Sequence, residues 1–528
     1  MQEQADVIVV GSGMNSLVCA GLLARRGKRV LVIEREAELG GCIRSAELFP
    51  GFTHDILSSW YPLFVGSPGY AELKEELHAA GLEFVQCDYS TGVVTPDGRS
   101  LALRQDLQDT AARLDALCAG DGKVFAAAAL RLFGADAALT FGLLGKNPYG
   151  WDMLKLLWRE WRCRGVDGLA EFGANSLENY RRWSTRELRS DLARAAIAPW
   201  TLHTGMGPDD ACSALIGKLT FAAVVAGGMP VVKGGSSNIV QAFRTMIERR
   251  GGTLLTGVDV ERVLIEKQRA VGVQAGGTSW RARDAVVCNV TPTQLYGRLL
   301  PDAPAIWRER ARAYQFGRGD MQIHFALSSK PDWCDPELAK VPLVHLTESM
   351  ETVCMSVTEA NNGLIPARPT LAIGQPTAVD PSRAPAGAAI LWLQMQEMPS
   401  RLRGDALGEI EIPADGLWTD AVREQVADRV QQRLEMVMPG LGSKVVGRRA
   451  YSPADLERLN CNLVGGDPYS GVCSPDQFFW LRPFAGVRGN RGHVAPYRNL
   501  YHIGASTHPG PGLGGGSGWL VANRLSRA

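Results

Sequence analysis

The residues best placed to do chemistry lie near the start of the chain, where Asp6-Val7-Ile8-Val9-Val10 breaks into Gly11-Ser12-Gly13-Met14-Asn15-Ser16. Glycines spaced this way suit an anion. Gly11 allows a tight turn, and Gly13 lets backbone come close to a pyrophosphate. The helix that follows this turn would direct free N–H groups near Met14, Asn15 and Ser16, and its positive dipole end, toward that charge. Glu34 follows about twenty residues later, where a carboxylate can accept hydrogen bonds from an adenosine ribose, with Arg35 beside it. The third small position is Ser16 rather than glycine, which departs from the usual fingerprint and loosens helix–strand packing slightly.

The elements around these residues agree with that chemistry. The apolar, β-branched run before Gly11 reads as a buried parallel strand. Leu17 to Arg26 has helical spacing with Gly27 as a C-cap, and Arg29 to Ile33 is a second buried strand ending at Glu34. Strand, glycine turn, helix, strand and acid form one mononucleotide unit. Gly40 and Gly41 follow the acid, and this pair resembles the extended fingerprint of FAD-containing oxidoreductases, with Arg44 just beyond.

A second glycine cluster closes the chain. Asn499 to Ala505 reads as a buried strand running into Ser506-Thr507-His508-Pro509-Gly510-Pro511-Gly512-Leu513-Gly514-Gly515-Gly516-Ser517-Gly518, followed by the helix Trp519 to Leu525. Gly504, Gly512, Leu513 and Gly514 expose backbone with little side chain in the way. A helix N-terminus aimed at a flavin N1–C2=O edge would stabilise the negative charge of the reduced ring.

Between the two ends the composition bounds the answer. A chain of 528 residues holds two or three folding units; 45% hydrophobic and 21% charged residues with a net charge of +1 give no case for nucleic acid. Eleven scattered Cys form no CxxC or Cys/His cluster, so no metal site is expected and a reducing cytoplasm is. Met1-Gln2-Glu3 leads straight into the first strand, leaving no room for a signal peptide, and Leu219 to Val232 is too short to span a bilayer. The expected location is therefore cytoplasmic. Met153 to Arg164 mixes Leu and Trp with Arg and Lys as an interfacial helix does, which leaves a peripheral membrane contact open; a helix packed on the body with solvated cations is the plainer reading.

Residues 105 to 225 read as a helical cap. Lys233 to Asn238 opens a helix, Ile239 to Arg250, and strands are predicted over Thr253 to Val258, Val260 to Ile265, Val271 to Gln274 and Ala285 to Asn289. That order matches the second segment of a two-dinucleotide-type FAD domain, with the backbone near Val258 beside the adenine. Residues 300 to 480 mix strands with a helix over Asp420 to Val437. The predicted fold is α/β: an FAD-binding Rossmann domain from residues 1–75, 226–300 and 481–528, and a sheet-plus-helical-cap substrate domain from 76–225 and 301–480.

Val7 to Gly41, Lys233 to Asn289 and Leu500 to Leu525 together resemble the phytoene desaturase-like branch of FAD-dependent oxidoreductases, which includes carotenoid desaturases, carotenoid isomerases and retinol saturase. Gly504-Ala505-Ser506-Thr507-His508-Pro509-Gly510-Pro511-Gly512 is similar to the family's closing Gly-x-x-Thr-His-Pro-Gly-x-Gly. The resemblance covers under half of the chain. It implies FAD, an apolar isoprenoid or cyclic alkene-type substrate, hydride transfer to flavin N5, and a quinone, oxygen or carrier as electron acceptor. A single dinucleotide fingerprint speaks against a bound NAD(P)H relay. Alternatives are a reduced-flavin isomerase or saturase, a non-catalytic prenyl- or lipid-binding protein, and an amine oxidase; Cys42, where amine oxidases usually carry Arg after the glycine pair, counts against the last. His508 is the one catalytic candidate, although shaping the turn is its plainer role. His54 and Asp55 fit structural and catalytic roles equally, and oligomeric state is open.

Overall fold

The computed structural model describes residues 4–526. Five strands run parallel at the centre of a seven-stranded sheet, in the order Leu500–Ile503, Thr278–Asn289, Gln4–Val10, Val30–Ile33 and Thr253–Leu255. Thr278–Asn289 is long enough to serve two partners along one edge: its first residues pair antiparallel with Arg269–Ala275, and its last pair with Leu500–Ile503. Val7, Val9, Val30 and Val32 pack under the opening helix Met14–Arg25, the helix Ser237–Arg249 and the closing helix Gly516–Leu525. Ile8, Val10, Leu31 and Ile33 point the other way into a second core. This two-sided burial explains why the strands read as continuous apolar runs.

Three local boundaries differ from expectation. The opening helix begins at Met14 because Gly13, extended at φ −63° and ψ 171°, is its N-cap and takes Leu17 N–H on its carbonyl at 3.1 Å. The strand expected to reach Val258 stops at Leu255; Gly257, at φ +69°, turns the chain back so that Gly257 N–H and Val258 N–H donate to the Glu36 and Glu34 carbonyls. The strand expected over Val260 to Ile265 shifts to Arg262–Glu266, one residue shorter, and that over Val271 to Gln274 lengthens to Arg269–Ala275, where the two form a hairpin.

A second seven-stranded sheet is ordered Val445–Tyr451, Gly319–Leu327, Ala389–Met398, Leu371–Gly374, Leu343–Leu346, Tyr89–Val94 and Ser100–Arg104. Its outer face is apolar: Met321, Ile323, Phe325, Leu391 and Leu393 bury against Val422, Val426, Val430 and Leu434 of the helix Asp420–Glu435. The inner face turns toward the first sheet's domain and toward a layer of helices between Leu107 and Gly227. The longest of these, Trp151–Leu177, is broken at Gly165, where φ is +68°. It buries Met153 and Leu156 but leaves Trp151 79% and Trp158 59% exposed. Among the described residues no single helix is long and apolar enough to cross a membrane.

Candidate active site

All five parallel strands end at one edge, where an open α/β sheet binds its ligand. The residues at those ends are Gly504, Asn289, Gly11, Glu34 and, after Leu255, the Gly257–Val258 turn. The two glycine clusters, almost 500 residues apart, therefore meet. Gly518 N–H donates to Asn15 Oδ1 at 3.2 Å, and a Cβ on Gly518 would lie 1.9 Å from the Asn15 carbonyl oxygen. Only glycine lets the closing helix approach the opening one so closely. Both helices begin here and neither has an acidic side chain in its first turn, so two positive dipole ends converge uncompensated.

Asn289 holds this edge together, a role that sequence reasoning missed. Its Nδ2 donates to Ser16 Oγ at 2.9 Å, its carbonyl oxygen would sit 3.0 Å from a Cβ on Gly11, and its Oδ1 would sit 2.4 Å from one on Gly504. The available signal was an amide ending an otherwise apolar buried strand, Ala285-Val286-Val287-Cys288-Asn289.

Glu34 is buried with its carboxylate held in place. Oε2 accepts from Ser12 N–H at 2.9 Å and Ser12 Oγ–H at 2.7 Å, while Oε1 accepts from Glu36 N–H at 3.0 Å. A carboxylate has about four acceptor positions, so Oε1 keeps one free. Gly40 supports the turn from behind, giving its N–H to Ser12 Oγ at 2.8 Å. Gly41, at φ +61°, passes so close that a Cβ there would be 3.2 Å from Gly13 Cα. Arg44 lies beyond it with a buried Nε that has no hydrogen-bond partner.

These features fit FAD: backbone cradles that any Cβ would fill, a spare carboxylate position, converging helix starts and an orphaned guanidinium nitrogen. Arg35 is exposed and pairs with Glu36 at 3.3 Å. Gly512 and Gly514 lie against Leu63 on the outer side of the closing turn; a Cβ on Gly512 would sit 2.8 Å from Leu63 Cδ1. Leu513 packs at the edge of the opening core.

His508 is fully buried, and neither ring nitrogen has a hydrogen-bond partner. Burial pushes it down to about 4, so the ring is neutral near pH 7. Its carbonyl accepts from His493 Nε2 at 2.7 Å. Asp55 ties distant segments together: it accepts from the Ser45 and Ser59 hydroxyls and from Ser236 N–H, and pairs with the buried Arg383. His54 faces His324 of the second sheet, with ring centroids 5.3 Å apart.

The model for an NAD(P)-binding Rossmann-like domain matches residues 9–73. A pyridine nucleotide-disulfide oxidoreductase domain-containing protein 2 of Rattus norvegicus is 26% identical, aligned over 100% of this chain and 94% of its own. One of the limonene dehydrogenase polypeptides of Castellaniella defragrans is 25% identical, over 99% of this chain and 95% of its own. An all-trans-zeta-carotene desaturase of Myxococcus xanthus is 27% identical, over 96% of this chain and 90% of its own. The chain is an FAD-dependent oxidoreductase, similar to the phytoene desaturase-like proteins. In fold it is similar to an oxidoreductase from Methanosarcina mazei, with a TM-score of 0.59 at 17% identity, covering 99% of this chain and all of that one.

Proposed function

We propose that the protein dehydrogenates a carbon–carbon bond of a largely apolar substrate with an isoprenoid or cyclic alkene skeleton. The observation that carries this reading is the meeting of the two glycine clusters at the carboxyl edge of the parallel sheet. Relatives named for desaturation and for limonene dehydrogenation support the choice of bond. FAD, when bound, would supply the hydride acceptor, with the proton leaving to a base or water and the electrons passing on to a quinone, oxygen or carrier.

The chain's own residues hold and orient. In this reading Gly11, Gly13 and the N–H groups from Met14 to Ser16 hold the pyrophosphate, Glu34 the ribose, Val258 the adenine edge, and Arg44 with Gly41 the chain between the phosphates and the ring. Gly504 and the start of the closing helix face the ring. His508, neutral and buried, shapes the closing turn instead of moving a proton. Residues 1–75, 226–300 and 481–528 form the cofactor domain, and 76–225 with 301–480 form the substrate domain. Trp151, Leu154 and Trp158 are exposed beside Lys155, Arg159 and Arg162, and this face would rest on an anionic lipid surface from which an apolar substrate is drawn.

The test is anaerobic titration of the purified protein with terpenoids, carotenoids, cyclic alkenes, enones and amines. Bleaching of the flavin bands by an alkene or terpenoid supports dehydrogenation. Turnover only after prior reduction would replace it with isomerisation or saturation. Bleaching by amines alone would overturn it.

A further inference from the structure

The inner face of the second sheet is unlike the outer one. Gln322 and Gln394 stand directly opposite each other across neighbouring strands, and Gln394 Nε2 donates to Asp320 Oδ2 at 2.7 Å. Ala372 pairs with Gln394 on one side and with His345 on the next strand, which places His345 on the same face. From there a chain of contacts runs across it: His345 Nε2 to His203 Nε2 at 2.8 Å, His203 Nδ1 to Gln396 at 3.1 Å, and Gln396 Nε2 to Tyr469 Oη at 2.9 Å.

This face is buried, yet much of it is unpartnered. Asp320 Oδ1, Gln322 Oε1, both ring nitrogens of His324, His345 Nδ1 and the indole N–H groups of Trp200 and Trp392 have no hydrogen-bond partner, and each of these residues is at most 4% exposed. A buried polar atom without a partner costs about 1–3 kcal/mol.

The wall also adjoins the closing glycine turn. Tyr469, which ends the chain of contacts, precedes Ser470, and the Ser470 carbonyl accepts from Ser506 Oγ at 2.9 Å. Burial raises the Asp320 carboxyl well above the usual carboxylate range and holds the His203 and His345 rings below theirs, so burial favours the neutral form of each and the wall offers both donors and acceptors.

We propose that this wall binds a neutral oxygen function, a carbonyl or hydroxyl, carried on the substrate's apolar skeleton. This rests on the dehydrogenase reading above and adds to it that the substrate is not a pure hydrocarbon. No side chain in the chain of contacts is a cation, and the guanidiniums at its Tyr469 end, Arg482 and Arg318, already donate to the Tyr469, Gly471 and Gly205 carbonyls, so the wall calls for neither a carboxylate nor an ammonium.

Calorimetric binding to the FAD-loaded protein tests it without turnover, using limonene against carvone and carveol, and farnesene against farnesol. The oxygenated member of each pair should bind at least about tenfold tighter, because a site with unpaired polar groups discriminates against the analogue lacking the partner. In the double variant Asp320→Leu/Gln394→Leu that preference should vanish while hydrocarbon binding stays within about twofold, since removing both partners together is nearly neutral for folding. If that variant fails to load FAD, Gln396→Leu takes its place and should reduce the preference. Hydrocarbons binding wild type as tightly as their oxygenated partners, no binding by any probe, an unchanged preference in the variants, or tighter binding of cyclohexylamine would each overturn the proposal. Failure of flavin bleaching in the anaerobic titration would sink the dehydrogenase reading separately.

Discussion

The cofactor edge and the substrate wall are both buried, polar and assembled from distant segments, but they are built on opposite terms. At the cofactor edge the polar groups of the turn are already committed: Glu34 takes three donors from Ser12 and Glu36, Asn15 takes Gly518 N–H, and Asn289 bonds Ser16. What remains open is backbone and space, guarded by glycines. At the substrate wall the side chains are large and several of their polar atoms are unpartnered. Recognition of a constant cofactor can rest on a rigid, self-satisfied frame. Recognition of a particular substrate requires groups whose partners arrive with it.

The largest expected effect comes from filling the frame. Gly518→Val places side-chain atoms where even a Cβ would be 1.9 Å from backbone, so the opening and closing helices must separate. Overpacking of this sort costs about 1–3 kcal/mol or more; FAD content of the purified variant should fall to near zero, read from its absorbance spectrum. An equally filling change at Gly173 in the long cap helix, where a Cβ meets nothing within 4 Å, should leave the flavin content high. If the two variants retain FAD alike, the contrast between frame and surface collapses.

Removing the acid at the ribose position is expected to come next. Glu34→Ala strands Ser12 N–H, Ser12 Oγ–H and Glu36 N–H in a buried setting, at about 1–3 kcal/mol for each donor that finds no water. FAD affinity should fall by at least tenfold, with Tm lowered as well. Glu34→Gln, which keeps one acceptor, should lose less.

Acid should weaken the cofactor edge through its histidines. Burial pushes His502 and His508 down to about 4 and His493 to about 3. The unfolded chain therefore binds more protons than the folded one between about pH 6.5 and 4, and stability falls as pH drops through that window, by on the order of 3 kcal/mol per group. Asp320 has the opposite sign: its folded carboxyl keeps its proton where the unfolded one loses it, so its contribution fades as pH rises. Denaturant unfolding at pH 5 and 7 measures the first effect. Asp320→Asn, compared with wild type at the same two pH values, measures the second, and the variant should gain stability over wild type at the higher pH.

The same contrast explains what the sequence disclosed. Val7 to Gly41 is a local pattern, with strand, turn, helix and acid following in order, so its spacing alone carried the nucleotide reading. The closing cluster was legible for the same reason: glycines between a buried strand and a helix. Asn289 was not, because its work depends on Ser16 and Gly504, which only the folded sheet brings to it. The substrate wall was less legible still. Asp320, Gln322 and His324 alternate with Met321, Ile323 and Phe325 along one strand, and alternation usually marks a strand with one face in water. Here that polar face is covered by helices and by the first domain. Its inward direction is a property of tertiary packing, on which the Leu- and Trp-rich cap, much of it ordinary core, gives no information.

The most direct test of the central claim is the flavin spectrum of the purified protein, followed anaerobically as an alkene-bearing terpenoid is added. The account predicts a yellow protein with FAD near one per chain, whose visible bands bleach on addition and do not bleach in Gly518→Val. A colourless protein that cannot be loaded with FAD, or a loaded one whose spectrum no terpenoid or alkene changes, would contradict it.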